Sequence, residues 1–399
     1  MNDLPDDEVS PGLRRIIGDA LAAAGGWLGF DAFMARALYA PGLGYYARDS
    51  LKFGSLPYRQ QDGRAVAGSD FVTAPEISPL FGQTLASQLA QALRQTQTNT
   101  LWEFGAGSGA LAQQLLSSLQ ALGQPLPQYR IVELSATLRA RQQARLAAFA
   151  GQVQWVDALP EQLAGVVLGN ELLVAMPVQL LARVNGSWFE RGVAADPDGA
   201  GWVWQDRPTA LRPPVDIPGE HDYLTEIHPQ AEAFIRTLAE RLVAGAAFFI
   251  DYGFPEHEYY HPQRHMGTVM CHRAHQADPD PLVLVGHKDI TAHVNFTGIA
   301  LAAQDAGLAV LGYCSQARFL INCGIGPRLD AAPLAQRAQA QHLLLEHEMG
   351  ELFKVIGLCR GEPWDALGFA QGDRTHTLST RLSPSKPMQP DPTPNKAHP

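Results

Sequence analysis

The stretch LWEFGAGSG at residues 101–109 decides the fold of this chain. It predicts an apolar strand that ends in an acidic residue, then a glycine-rich turn, then the start of a helix. Gly105, Gly107 and Gly109 allow a sharp turn that brings a ligand against main-chain N–H groups. The carboxylate of Glu103, two positions before the first glycine, suits a cationic amino-acid ligand better than a pyrophosphate. The pattern therefore favours S-adenosylmethionine (SAM) as the cofactor, and with it methyl transfer.

A dinucleotide is the alternative ligand of this turn. The same glycines fit the pattern G-x-G-x-x-G/A, because Ala110 occupies its last position. An NAD(P)-dependent oxidoreductase therefore stays open beside a methyltransferase. Dinucleotide folds usually open with this motif, whereas 100 residues precede it here. That position and the acidic Glu103 both favour SAM.

Acidic residues also end the next two predicted strands, at 129–133 and 152–156. We expect Glu133 to bind the two ribose hydroxyls and Asp157 to accept a hydrogen bond from the adenine amino group. A helix-capping carboxylate at Glu133 and an ordinary strand-end acid at Asp157 are the structural alternatives. The carboxyl ends of parallel strands meet at one edge of an open α/β sheet, where ligands bind. The sequence therefore predicts that Glu103, Glu133 and Asp157 bind one cofactor.

Asn170 and Glu171 end the fourth predicted strand, at 165–169. In a SAM-dependent fold this position faces the methyl group, so these residues are candidate catalytic groups. Methyl transfer is an in-line displacement in which positioning and exclusion of water supply most of the catalysis. A carboxylate beside a guanidinium adds a charge-assisted hydrogen bond. Glu226 is a second candidate carboxylate, and an ordinary acid at a helix start is its alternative.

The whole chain predicts an α/β fold with a Rossmann-like class I methyltransferase sheet. Strands and helices alternate from 100 to about 251, which implies right-handed crossovers and a parallel sheet. Asn185-Gly186 predicts the turn of an inserted β-hairpin, and 196–218 reads as a loop. We expect a helical N-terminal and lid region at 1–95, a SAM-binding core at 96–371 with an insertion at about 180–245, and a disordered tail at 372–399.

Composition excludes several classes of function. The net charge of −10, without a long basic run, argues against a nucleic-acid partner. The four cysteines form no C-x-x-C pair, which predicts neither a disulfide framework nor a zinc site and favours a reducing, cytoplasmic location. His257, His261 and His265 are spaced by four, but neighbouring prolines break a helix there, so we expect no metal. No segment reads as a signal peptide or a membrane span.

Several longer strings carry a resemblance to a known family. The chain resembles the MidA family of class I SAM-dependent methyltransferases, whose mitochondrial member is an arginine methyltransferase that assists assembly of respiratory complex I. The resemblance implies a bacterial relative with a Rossmann-like core, SAM as donor and a protein arginine as acceptor. It also implies that the T-A-P-E segment, with Glu76, lies over the cofactor. The strings are YAPGLGYY at 39–46, DFVTAPEISPLFG at 70–82, GNELLVAMPV at 169–178, DYG at 251–253 and DITAHVNF at 289–296.

The chain departs from the family at two positions. Val174 and Asn295 stand where relatives commonly carry Asp, and the loop between Phe53 and Asp70 is longer than expected. Val174 lies three residues beyond Glu171, so a non-catalytic assembly protein that retains the SAM fold is one alternative. A small-molecule acceptor is another. We expect Tyr45 and Tyr46 to line the acceptor channel, and the sequence leaves a homodimer open.

Overall fold

The computed structural model describes residues 9–48, 58–59, 65–66, 73–124, 126, 128–199, 201–273 and 276–378. Of the predicted tail, residues 372–378 are described and contain a 3-10 turn at Thr375–Thr377. The rest of that tail, and most of the long loop between residues 53 and 70, lie outside the described residues.

Helices flank the sheet that carries the glycine-rich turn. They are α1 (Pro11–Ala23), α2 (Phe30–Tyr39), α3 (Ala74–Ile77), α4 (Leu80–Thr96), α5 (Ala110–Ala121), α6 (Ala136–Arg145), α7 (Pro229–Arg241), α8 (Glu256–Tyr259), α9 (Phe296–Asp305), α10 (Gln316–Asn322), α11 (Ile325–Ala331) and α12 (Leu334–Gln341). Within these ranges, no helix is both long enough and apolar enough to cross a lipid bilayer.

The strands form one large sheet and three smaller ones. They are β1 (Trp27–Gly29), β2 (Tyr58–Arg59), β3 (Ala65–Val66), β4 (Thr100–Phe104), β5 (Gln128–Val132), β6 (Val153–Val156), β7 (Leu163–Asn170), β8 (Gln179–Val184), β9 (Ser187–Ala195), β10 (Trp202–Pro208), β11 (Tyr223–Ile227), β12 (Leu242–Phe254), β13 (Met270–Arg273), β14 (Gln276–Asp278), β15 (Asp289–Thr291), β16 (Val294–Asn295), β17 (Leu308–Ser315) and β18 (Phe353–Arg360).

The large sheet has the strand order β17-β18-β12-β7-β4-β5-β6, and β16 pairs with the end of β12. Strands β12, β7, β4, β5 and β6 run parallel, while β18 is antiparallel to both of its neighbours. The predicted α/β class with a mostly parallel sheet is confirmed. Strand order reverses beside β4, because β5 lies on one side of it and β7 on the other. The crevice at such a reversal is where ligands bind in open α/β sheets.

Apolar helix faces cover both sides of this sheet. One buried cluster packs α4, α5 and α10 against it, and a second packs α7 and α9 against the other face. Helix α4 follows Ser78, whose hydroxyl accepts a hydrogen bond from the Leu80 N–H at 3.3 Å. Burial on both faces explains why the strands are nearly continuous apolar runs.

The insertion forms a second, antiparallel sheet. Strands β8 and β9 make the predicted hairpin, whose turn residues Asn185 and Gly186 have positive φ values of 48° and 76°. The prediction of a loop throughout 196–218 is wrong, because Trp202–Pro208 is strand β10 at the sheet edge. That strand is mostly exposed, so its sequence lacks a clear apolar alternation. Helices α1 and α2 pack beneath this sheet in a third cluster.

Residues 252–288, which show little periodicity, contribute to a third sheet of order β14-β13-β15. Helix α9 begins only at Phe296, because 289–291 and 294–295 are strands. The Asn295 side chain caps α9 by accepting from the Gly298 N–H at 3.3 Å. These segments bring 266–273 and 289–293 to the carboxyl edge of the large sheet.

Candidate functional site

A cavity of about 1680 Å³ opens at the carboxyl edge of the parallel strands. It extends from the glycine-rich turn and the end of β5 to the N-terminal helices and β15. Six of the predicted site residues line it: Glu76, Gly105, Gly107, Glu133, Asn170 and Glu171. The other four, Glu103, Gly109, Asp157 and Glu226, do not form its wall.

The glycine-rich turn has a backbone that only glycine adopts readily. Gly105, Gly107 and Gly109 have φ values of 68°, 52° and 81°. A Cβ on Gly105 would meet only the Leu172 side chain, at 3.4 Å, so the turn leaves its cavity side open. Helix α5 starts directly after Gly109 without a side-chain cap. The first of its N–H groups, on Ala110, donates to the Ser108 hydroxyl at 3.3 Å, which joins the helix start to the turn.

Glu103 lies behind the turn rather than at the cavity surface. Its side chain is buried, and its carboxylate accepts a hydrogen bond from the Tyr129 hydroxyl at 2.7 Å. Burial raises the pKa of Glu103 to about 7, and the Tyr129 hydrogen bond opposes this rise. A nearby cationic group would favour the ionised carboxylate.

Glu133 lies on the cavity wall with both carboxylate oxygens already engaged. It accepts from the Ser135 N–H at 2.8 Å and from the Gln142 amide at 3.0 Å. The Gln142 amide also donates to the Gly107 carbonyl at 2.9 Å, which links the end of β5 to the glycine-rich turn. Ser135 itself caps α6 through the Leu138 N–H. Glu133 therefore contacts the start of α6, which was its alternative role, and it also lies on the cavity wall.

Asp157 lies away from the cavity. Its side chain is 79% exposed and forms an ion pair with Arg139. Leu134 and Leu138, which follow β5, line the cavity instead. The adenine contact assigned to Asp157 from the sequence stays a prediction.

Helix α3 links the cofactor and acceptor ends of the cavity. The carboxylate of Glu76 accepts from the Ser108 hydroxyl in the glycine-rich turn and from Arg145 at 2.9 Å. At the other end of the helix, the Ala74 N–H hydrogen bonds to Glu171 and lowers its pKa. The T-A-P-E segment thus lies against the turn, as expected for a wall of the site.

Asn170 and Glu171 meet at the end of β7. The Asn170 amide donates to Glu171 Oε1 at 3.2 Å, and Asn170 Oδ1 is buried with no hydrogen-bond partner among the described residues. Glu171 has a φ of 55°, which is strained for a residue with a side chain. Burial raises the pKa of Glu171 to about 7, and the charge of Asp289 adds to the rise. Such strain and such a shift are typical of functional positions.

Three residues at this end were not recognised from the sequence. Asp289 and His293 come from segments distant in the chain, and Tyr252 follows β12's buried run; all three line the cavity. The string DITAHVNF contains two of them, but nothing in its spacing indicates a site. Asp289 is buried, and its carboxylate accepts from the Tyr46 hydroxyl at 2.7 Å.

The two tyrosines expected in the channel differ. Tyr46 lines the cavity and stacks on Tyr39 at a centroid distance of 5.5 Å. Tyr45 is only 1% exposed and packs behind Tyr46 at 5.1 Å. Tyr39 in turn donates to the Ala175 carbonyl at 2.7 Å, which ties α2 to the segment after Glu171.

Glu226 lies on β11, opposite Leu180, rather than at a helix start. It is fully buried, and its carboxylate accepts hydrogen bonds from Tyr259 Oη at 2.8 Å, the Thr268 N–H at 2.7 Å and the Val269 N–H at 3.1 Å. Thr268 and Val269 line the cavity. In this arrangement Glu226 stabilises a cavity wall from behind.

Val174 and Asn295, the two family departures, are both buried. Val174 lines the cavity, and its carbonyl accepts from the Ala292 N–H at 3.0 Å. Asn295 caps α9 and lies outside the wall. The Val174 substitution therefore makes one patch of the acceptor end apolar.

This geometry agrees with the comparisons to known proteins. A family model for S-adenosyl-L-methionine-dependent methyltransferases matches residues 84–314. The chain belongs to this family. SAM is thus the cofactor, and the dinucleotide alternative is not supported. The open glycine-rich turn and the acidic residues around it fit a ligand with one cationic end and a ribose.

Three further matches cover most of this chain. The structure is similar to that of a superfamily member from Burkholderia thailandensis bound to S-adenosyl-homocysteine, with 49% identity, a TM-score of 0.85, and coverage of 92% of this chain and 96% of that chain. The protein arginine methyltransferase NDUFAF7 of zebrafish mitochondria (Danio rerio) is 27% identical over 82% of each chain. The human protein of that name is 26% identical over 90% of this chain and 85% of its own. The resemblance to the MidA family is confirmed.

Proposed function

We propose that this methyltransferase transfers the methyl group of SAM to an arginine side chain of a protein substrate. The observation that carries the proposal is the pair at the end of β7: the partly buried carboxylate of Glu171 beside the side-chain oxygen of Asn170, for which the described residues offer no hydrogen-bond donor. A guanidinium offers five N–H donors and a positive charge, which match these acceptors. Relatives named as protein arginine methyltransferases support the same acceptor class.

The aromatic and acidic wall around this pair favours a cationic acceptor. Tyr39, Tyr46 and Tyr252 line the same end of the cavity, together with Asp289. Aromatic rings attract a cation at their faces, and a desolvated carboxylate attracts a guanidinium strongly. A neutral small molecule would gain nothing from either feature.

At the cofactor end, main-chain groups and carboxylates have separate binding roles. We assign the turn at Gly105 and Gly107, and the helix start after Gly109, to main-chain contacts with SAM. Glu103 favours the cationic amino-acid end through its charge, and Glu133 is the acceptor for the ribose hydroxyls. When bound, SAM supplies an electrophilic methyl group on a sulfonium.

The acceptor end then orients a nucleophile. Glu171 and Asn170 hold the guanidinium so that one nitrogen points toward the cofactor, and the apolar Val174 surface excludes water. Ordering of both partners in one cavity, rather than a covalent intermediate, provides the rate enhancement. A protein partner therefore needs only a protruding arginine.

The test is methyl transfer from labelled SAM to a peptide library in which each arginine peptide has a lysine twin. We expect label on arginine peptides only, located by mass spectrometry. Glu171→Gln should lower kcat/KM by about 10²–10³-fold while S-adenosyl-homocysteine (SAH) still binds. Glu240→Gln, the same change on an exposed helix residue, is the control. Label on lysine, or on small metabolites alone, would contradict the proposal, and SAH binding without any transfer would favour an assembly protein.

A further inference from the structure

We propose that His293 is the catalytic base of this enzyme, which accepts the proton lost by the acceptor nitrogen during methyl transfer. The inference rests on the proposed arginine acceptor. It starts from an observation that the mechanism above does not use: a histidine on the cavity wall whose buried Nδ1 has no hydrogen-bond partner among the described residues.

The sheet register places His293 on the same sheet edge as the acceptor pair. Glu171 follows β7, and its N–H donates to the Ile250 carbonyl of β12 at 2.8 Å. His293 directly precedes β16, whose Val294 pairs with Gly253 near the end of the same strand. The two residues therefore flank the carboxyl end of β12, on the same edge of the sheet.

Ring packing and hydrogen bonds together hold His293 in place. Its ring stacks on Phe254 with a centroid distance of 5.2 Å and an interplanar angle of 8°, and Tyr252 contacts it edge-on at 5.0 Å. Its backbone N–H donates to the Thr268 hydroxyl at 3.0 Å, which is anchored by Glu226. A hydrogen bond between the ring and the Thr268 backbone adds to these contacts and leaves Nδ1 without a partner among the described residues.

Buried polar atoms normally form at least one hydrogen bond. Nδ1 of His293 is buried and lacks such a partner among the described residues. Burial, assisted by the charge of Arg264, lowers the pKa of His293 to about 4. The ring is thus neutral at pH 7 and has one nitrogen free to accept a proton.

The proton balance of the reaction requires such a group. One guanidinium nitrogen forms a bond to the methyl carbon, and the carbon–sulfur bond breaks with its electron pair left on sulfur. The nitrogen would otherwise acquire a second positive charge, so its N–H bond breaks and His293 takes the proton. That proton becomes strongly acidic as the new bond forms, and a weak base suffices to remove it.

Glu171 is the competing base. In the proposed arrangement its carboxylate already accepts from the guanidinium, from Asn170 and from the Ala74 N–H, so it acts on binding and orientation. The two roles separate kinetically. Loss of Glu171 should raise the acceptor KM and lower kcat, whereas loss of His293 should lower kcat with KM unchanged.

The experiment compares His293→Ala, His293→Gln and the exposed control His257→Ala on an arginine peptide. We expect both His293 variants to lose about 10²–10⁴-fold in kcat, with SAH affinity and the melting temperature near wild type. Added imidazole should raise the rate of His293→Ala at least tenfold, because the cavity has room for it. It should not raise the rate of His293→Gln, whose side chain fills the space.

Wild-type kcat in either variant overturns the inference. So does a loss of kcat that imidazole fails to restore in folded His293→Ala, or one matched by a loss of SAH affinity in both variants. If the wild-type enzyme methylates another acceptor and no arginine, the proposed function fails by itself. The same imidazole rescue on that acceptor then decides whether His293 is the base.

Discussion

The cofactor end and the acceptor end of the cavity are built in different ways. The cofactor end consists of a contiguous turn at 105–109 and the ends of neighbouring strands, so its residues are close in sequence or follow a regular alternation. The acceptor end joins Tyr46, Glu171, Thr268 and Asp289, which come from four separate parts of the chain. Local chemistry therefore specifies the first, and tertiary structure specifies the second.

The largest effect should come from the cofactor end. Gly107→Val places a β-branched side chain at a φ of 52° on the cavity wall, so it should lower SAH affinity by at least about 100-fold in calorimetry. Gly123→Val is the matched control, since Gly123 has a φ of 65° with nothing within 4 Å of the added Cβ. Equal loss in both variants would mean that backbone strain, rather than the site, explains the result.

A carboxylate with a pKa of about 7 at each end allows the two ends to be titrated separately. Below pH 7 the protonated Glu103 cannot pair with a cation, so SAH affinity should fall about tenfold per pH unit. With cofactor saturating, kcat/KM for the acceptor should fall likewise as Glu171 becomes protonated. Burial raises the pKa of both carboxyl groups in the folded state. Each group therefore contributes most to the free energy of unfolding at low pH, and that contribution is lost as the pH rises through about 7.

Two Glu→Gln variants are the controls for this titration. Glu103→Gln should remove the pH dependence of SAH binding, and Glu171→Gln should leave that dependence intact. A pH dependence of SAH binding that survives in Glu103→Gln would assign it to another group, and Glu133 would be the next to test.

Glu226→Gln should affect stability more than chemistry. The carboxylate accepts from Tyr259 and from the N–H groups of Thr268 and Val269, whereas an amide NH₂ cannot accept. We expect a loss of about 2–4 kcal/mol in the free energy of unfolding, measured with urea. Glu171→Gln should change it far less. Unchanged stability with abolished turnover would return Glu226 to the catalytic role expected from the sequence.

The smallest effect should come from Asp157→Asn. The exposed ion pair with Arg139 contributes little, and the residue lies off the cavity wall, so SAH affinity should change by less than about threefold. A loss of tenfold or more would establish the adenine contact that the sequence predicted.

The sequence predicted the fold class, the hairpin at Asn185-Gly186 and the cofactor correctly because these depend on local periodicity and turn chemistry. It could not show that Tyr46 lines the cavity and Tyr45 does not, since the side-chain directions of adjacent residues in an irregular segment follow no regular pattern. It also could not show that Glu226 points into a hydrogen-bond network from residues 259–269, because that contact forms across the fold. Strand β10 was missed because an exposed edge strand carries little apolar pattern.

Helix α3 has a consequence for how this enzyme can diversify. Its four residues touch the glycine-rich turn through Glu76 and the acceptor carboxylate through the Ala74 N–H. A shift of this short helix that suits a new substrate also disturbs the nucleotide contacts. Substitutions in β15 and the N-terminal helices can therefore change acceptor preference more independently than substitutions in α3. In α3, a change in the affinity for one ligand is coupled to the affinity for the other.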